Sequence, residues 1–131
     1  MTMLRRALQA FAAVYAACGL ALIVAPRWIL VDWFHQPAYV DYTYVRITGA
    51  MSLGLAMFAV MVSRRDDAWW WAWGFAVVSA LCGTITVFHA LLGVPAGAGV
   101  GLWWLFAITS VALTVWLVLG LAQASQEHPI A

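Results

Sequence analysis

Four stretches of this chain are too long and too apolar to sit in water. Residues 7–25 carry no charge, 45–63 carry only Arg46, 68–92 carry no formal charge, and 100–122 carry none. A helix needs about 20 apolar residues to cross the hydrocarbon core of a bilayer. In lipid every backbone polar group must be satisfied internally, which leaves helices and closed barrels. Each run is therefore expected to be a transmembrane helix. The expected fold is an all-α membrane protein: a four-transmembrane-helix antiparallel bundle, with residues 1–131 as a single transmembrane domain. Composition agrees, since 66% of the 131 residues are hydrophobic and 8% are charged. Soluble domains carry about 25% charged residues. A net charge of +1 excludes a nucleic-acid partner, which needs a basic face.

The links set the connectivity. Residues 26–44 form a long first link with Arg27, Asp32, His35 and Asp41. Residues 64–67 are short and fully charged, and 93–99, "GVPAGAG", are short and uncharged. Short links favour antiparallel neighbours, so helices two, three and four are expected to pack as an up-down series. Arg5, Arg6, Arg64 and Arg65 fall on one side, and Arg27 and Arg46 on the other. The positive-inside rule counts Lys and Arg and largely ignores acids. Both termini are thus expected in the cytoplasm. All basic residues are Arg and none is Lys, a usage that suggests a GC-rich bacterial genome.

The run "SRRDDAWWWAWG" at 63–74 fits this topology. Its charges make the cytoplasmic turn. Trp69, Trp70, Trp71 and Trp73 then enter helix three at headgroup depth, where an apolar ring with a polar N–H is favoured. At about 100° per residue these four scatter around the helix, so at least one is expected to pack on a neighbour. Trp103 and Trp104 mark the outer interface on helix four, and Trp28 and Trp33 mark it in the first loop. The competing reading is an aromatic box for a pigment or quinone. Arg64, Arg65, Trp69, Trp70, Trp73 and Trp103 are the expected topology and interface anchors.

"PRWILVDWFHQP" in the first outer loop reads as a short interfacial helix over 27–36, lying flat in the headgroups. Asp32, His35 and Gln36 share a helical face, Pro37 would end the helix, and Asp41 suits the N-cap of helix two. At the other end of helix one, the start "MTMLRRALQAFAAVYAACG" resembles a signal peptide. Tyr15, three residues before Cys18, does not fit a lipobox, so the segment is expected to stay as helix one.

Small residues let membrane helices approach. Thr48, Ser52 and Ala56 on helix two, and Ser79, Gly83, Thr86 and Ala90 on helix three, form the two stripes expected in the interior. Ionisable groups at membrane depth are the default place to look for function. Arg46 and His89 lie toward the outer side, below Asp32, His35 and Asp41, and the five are candidates for an outward-facing polar pocket. The alternative is structural, with Arg46 paired to Asp41 or Asp32 and His89 bonded to a carbonyl. No close-spaced ligand pair points to metal or haem. Cys18 and Cys82 fall at similar depth, and neither belongs to a CxxC pair. No nucleophile with a plausible base, phosphate-cradling loop or paired intramembrane carboxylate is present, so the chain reads as non-catalytic.

The run "GLALIVAPRWILVDWFHQPAYVDYTYVRITGAMSLGLAMFAVMVSRR" resembles small four-span bacterial inner-membrane proteins of unknown function, loosely akin to the DoxX-like group. The likeness rests on a proline-containing first loop and an "R-x-x-G-x-x-x-L-G-L" second helix, here Arg46, Gly49, Leu53, Gly54 and Leu55. It implies a four-helix bundle and an association with membrane thiol and quinone redox systems. Three readings follow. The first is an accessory or structural subunit of a larger membrane complex, with other membrane-protein subunits or further copies of itself as partners. The second is a small protein binding a lipid or quinone and serving a redox partner. The third, a transporter or channel, has almost no intramembrane charge to line a path.

Overall fold

A computed structural model describes residues 1–127. Helix α1 spans Thr2–Val24, α2 spans Thr43–Ser63, α3 spans Ala68–Phe88 and α4 spans Gly101–Glu127. Among the described residues, four helices are long and apolar enough to cross a membrane, with α3 counted through Gly93. There are no strands among the described residues. The protein is a multi-pass, all-α membrane protein. The helices outrun the apolar windows at the N-terminal end of α1 and the C-terminal end of α4, because residues such as Arg5 and Gln123 continue the backbone ladder into polar surroundings.

One end of the bundle carries both chain ends and the turn at 64–67; the other carries the long loop and 94–100. We call them the terminal end and the loop end. The main cluster of buried residues lies in the terminal half, although Leu30, Ala90, Leu102 and Ala107 are also buried toward the loop end. Leu4, Leu8 and Phe11 of α1 meet Ala59 and Val62 of α2, Ala72 and Phe75 of α3, and Leu117 and Leu121 of α4. Phe11 stacks on Tyr15 with ring centroids 4.0 Å apart and meets Phe75 edge-on at 5.1 Å. Gly120 lets α4 ride against α1: a Cβ there would lie 2.8 Å from the Leu4 Cα.

The helices do not choose partners by link length. α2 packs chiefly on α1, α3 chiefly on α4, and α1 joins the pairs by lying against α4. α2 and α3 share a short turn yet touch little beyond it, where Phe58 meets Trp71 at 6.4 Å and Phe75 at 5.6 Å. Of the expected series of helices two, three and four, the α3–α4 pairing holds and the α2–α3 pairing is corrected. The turn fixes direction, whereas close packing fixes the partner. That packing centres on Gly19 and Gly49, which neither small-residue stripe contains. A Cβ on Gly19 would lie 2.6 Å from the Gly49 carbonyl oxygen, and one on Gly49 would lie 2.7 Å from that of Gly19. Of the two stripes, Ala56, Ser79, Gly83 and Ala90 are buried, Ser52 and Thr86 half-buried, and Thr48 exposed.

The loop helix is short and wide. Residues Trp28–Trp33 wind as a π-helix, with Phe34 N–H donating to the Ile29 carbonyl five residues back at 3.2 Å. That winding brings Trp28 and Trp33 within 4.8 Å. A second π-turn, His89–Gly93, closes α3. His35 sits in the left-handed region at φ 51°, so the helix stops before it. The expected shared face of Asp32, His35 and Gln36 is therefore broken: Asp32 and His35 are exposed and Gln36 is buried.

Candidate functional site

At the terminal end the charges are spent on structure. Arg5 donates to the Arg65 carbonyl and to Asp66, each at 3.3 Å. Arg65 grips Asp67 through two nitrogens at 2.6 and 2.9 Å, and the Trp71 indole donates to the same carboxylate at 3.1 Å. The Arg65 hydrogen bond first, then that of Trp71, holds the Asp67 carboxyl down to about 2. The Arg65 guanidinium also lies 5.9 Å above the Trp71 ring. Trp69 packs against the core, whereas Trp70, Trp71 and Trp73 are exposed. Arg64 is exposed at the turn.

At the loop end, the five candidate pocket residues fall in different places. Arg46 and Asp32 line one open crevice of about 650 Å³, together with Arg27, Trp28, Tyr39 and Tyr42. Asp41 lies outside that lining. Its carboxylate accepts from the Thr43 N–H at 2.9 Å and the Thr43 hydroxyl at 2.7 Å. These bonds, the hydroxyl's first, lower the Asp41 pKa; the N-cap of α2 is Tyr42 and not the expected Asp41, which meets the first helical residue from one position further out. No carboxylate lies within ion-pair distance of Arg46 among the described residues. His89 turns to α4 and meets the Trp103 ring edge-on, centroids 4.1 Å apart. His35 contributes its backbone: its carbonyl accepts from Gly99 N–H at 3.1 Å.

Gln36 locks this end, a role sequence reading did not assign. Its amide nitrogen donates to the carbonyls of Phe34, at 3.0 Å, and Gly99, and its oxygen accepts from the Trp103 indole at 3.3 Å. The two loops are thereby stitched over the bundle. Only glycine fits at 99, because a Cβ would collide with the Phe34 carbonyl oxygen.

Below this lock lies a mid-membrane cavity of about 200 Å³. All four helices line it: Tyr15 and Cys18 from α1, Ser52 from α2, Cys82 and Thr86 from α3, and Phe106, Thr109 and Ser110 from α4. Both thiols are free. The hydroxyls of Ser52 and Thr86 donate to carbonyls of their own helices, to Thr48 at 3.0 Å and to Cys82 at 2.7 Å, which leaves their oxygens as acceptors. Ser79 differs. It is fully buried behind the cavity lining, with its hydroxyl beside that of Tyr15.

The cavity continues toward the loop end. Val14, Cys18, Phe106 and Thr109 also border an apolar crevice of about 350 Å³ between α1 and α4, roofed by Ile29, Leu30 and Phe34. A smaller space of about 170 Å³ runs from Phe106 to Gln36, Thr48 and Trp103. Sequence reading noted Cys18, Ser52, Cys82 and Thr86 but missed Tyr15, Thr109 and Ser110 as lining residues. Their signal was polarity at mid-depth in otherwise apolar spans.

Among the described residues, no group of three or more His, Cys, Asp and Glu side chains is placed to hold a metal ion. The chain matches no family model, and no curated protein or solved structure is significantly similar to it.

Proposed function

We propose that this membrane protein is a binding protein for a small ring-bearing apolar molecule of the quinone class, held between the helices. The observation that carries the reading is the 200 Å³ cavity in which hydroxyls and thiols of all four helices converge at mid-membrane. An apolar cavity of about 150 Å³ accepts a benzene ring, so this one suits a substituted ring and is too small for a folded chain. The adjoining apolar crevice between α1 and α4 suits a tail. Ligand sites are mostly apolar with a few placed polar groups, and the Tyr15 hydroxyl, on the cavity lining, supplies a donor for a ring carbonyl.

On this reading the ring lies deeper than the crevice lined by Arg46 and Asp32, and the protein is non-catalytic, presenting its ligand to a redox partner. The Arg distribution supports cytoplasmic termini, in a bacterial inner membrane of the kind its DoxX-like resemblance implies. The test is purification in mild detergent, followed by ultraviolet redox difference spectra and mass spectrometry of an organic extract. Wild type should retain a ring compound. Cys18→Phe, which fills the cavity, should lose it while keeping its helical circular dichroism. A protein that carries no ring compound and binds no added ubiquinone analogue rules the reading out. Recovery with a stoichiometric membrane-protein partner instead would assign the chain to the accessory subunits.

A further inference from the structure

The crevice at the loop end has its own chemistry. Arg27 and Arg46 both line it, with Asp32 as its single acid. Neither guanidinium has a carboxylate within ion-pair distance among the described residues, whereas Arg5 and Arg65 at the terminal end hold Asp66 and Asp67. Asp41, the other acid nearby, lies outside the lining; its carboxylate accepts from Thr43 and acts on Arg46 through charge without forming an ion pair. Within its lining the crevice carries two cations against one anion. Tyr42 accepts the Tyr39 N–H at 3.2 Å, and its own hydroxyl proton has no acceptor among the described residues.

Depth narrows the partner. The crevice lies where α1 ends at Val24 and α2 begins at Thr43, which is headgroup level. Val24 and Val40 add apolar surface beside the charges. On the topology proposed above, Arg27 and Arg46 are the two arginines on the outer side, against the usual bias. Both are brought to one crevice. Arginine matches phosphate oxygens with paired N–H groups.

We propose that Arg27 and Arg46 form a phosphate site that holds the headgroup of an anionic phospholipid at the loop end. Asp32 limits the affinity by opposing the anion, and Tyr42 donates to a phosphate oxygen. The site is separate from the cavity and stands whether or not a ring compound binds there.

Native mass spectrometry of the detergent-purified protein tests it, with phosphatidylglycerol, phosphatidylcholine or inorganic phosphate added. Wild type should retain phosphatidylglycerol in preference to phosphatidylcholine. Arg27→Gln and Arg46→Gln should each weaken retention by roughly tenfold, about 1.4 kcal/mol, and Arg→Lys at either position should restore part of it. Asp32→Asn should strengthen retention, an opposite sign that loss of folding cannot imitate. Competition by inorganic phosphate would keep the phosphate chemistry but overturn the lipid assignment. Equal retention of phosphatidylcholine, or retention unchanged in both Gln variants and in Asp32→Asn, would overturn the site.

Discussion

The two halves of the bundle are packed in opposite ways. In the terminal half, Leu4, Leu8, Phe11, Val62 and Leu117 close into a core with no exposure above 1%. In the loop half, Tyr15, Cys18, Ser52, Cys82, Phe106 and Thr109 surround space. Lipid is as apolar as a leucine side chain, so burial alone does not draw membrane helices together; close contact does. Where facing residues interlock, the half is shut. Where small polar residues and the rings of Tyr15 and Phe106 face each other, it stays open, and the loop half depends on the Gly19–Gly49 crossing and the Gln36 lock.

The sharpest way to break this contrast is to part α1 from α2. Gly19→Val places a side chain against the Gly49 backbone, which cannot rotate away. The expected cost is about 3 kcal/mol, the upper part of the overpacking range, with hydrogen exchange rising in the loop half and little changed around Leu117. Gly54→Ala is the control. Its Cβ would meet nothing within 4 Å, and alanine favours the helix by about 0.5–1 kcal/mol.

A smaller effect compares the halves directly. Leu117→Ala removes a fully buried side chain and leaves a cavity where none existed. The expected loss in detergent unfolding is about 2 kcal/mol, the low end for Leu→Ala, because the transfer term largely cancels in an apolar solvent. Phe106→Ala enlarges space already present and should cost less. Equal losses would mean that the loop half is packed as tightly as the other.

Acid gives the smallest effect and compares the ends. Asp67 titrates near 2 when folded, against 3.8 for a free carboxyl, and Asp41 is also lowered. A depressed folded pKa contributes stability above the unfolded value and loses it as pH falls through the folded one. Melting temperature should hold down to about pH 4 and decline toward pH 2. Asp67→Asn should remove the terminal end's share of that decline and leave the share set by Asp41.

Much of the fold could be read from hydropathy, because a solvent of one polarity imposes long runs of one kind. The limits of α1 and α4 could not, since Arg5 and Gln123 lie beyond the apolar windows yet stay helical. Depth was legible but azimuth was not. Arg46 and His89 sit near the same end, yet one lines the Arg27 crevice and the other turns to Trp103. The π-turn at His89–Gly93 shifts the angular register locally, and no residue in that segment announces it. Helix partners were hidden for a related reason. Gly49 was visible inside a motif, but Gly19 is its counterpart only once two helices cross at one height.

The space around Phe106 also gives the molecule a mechanical asymmetry. Hydrostatic pressure favours whichever state has less void volume. Compression should therefore act first on the loop half, letting its helices close or its lock yield, while the filled terminal half transmits the load with little strain. The protein would soften from one end, as a clamp whose hinge is solid and whose jaws are hollow.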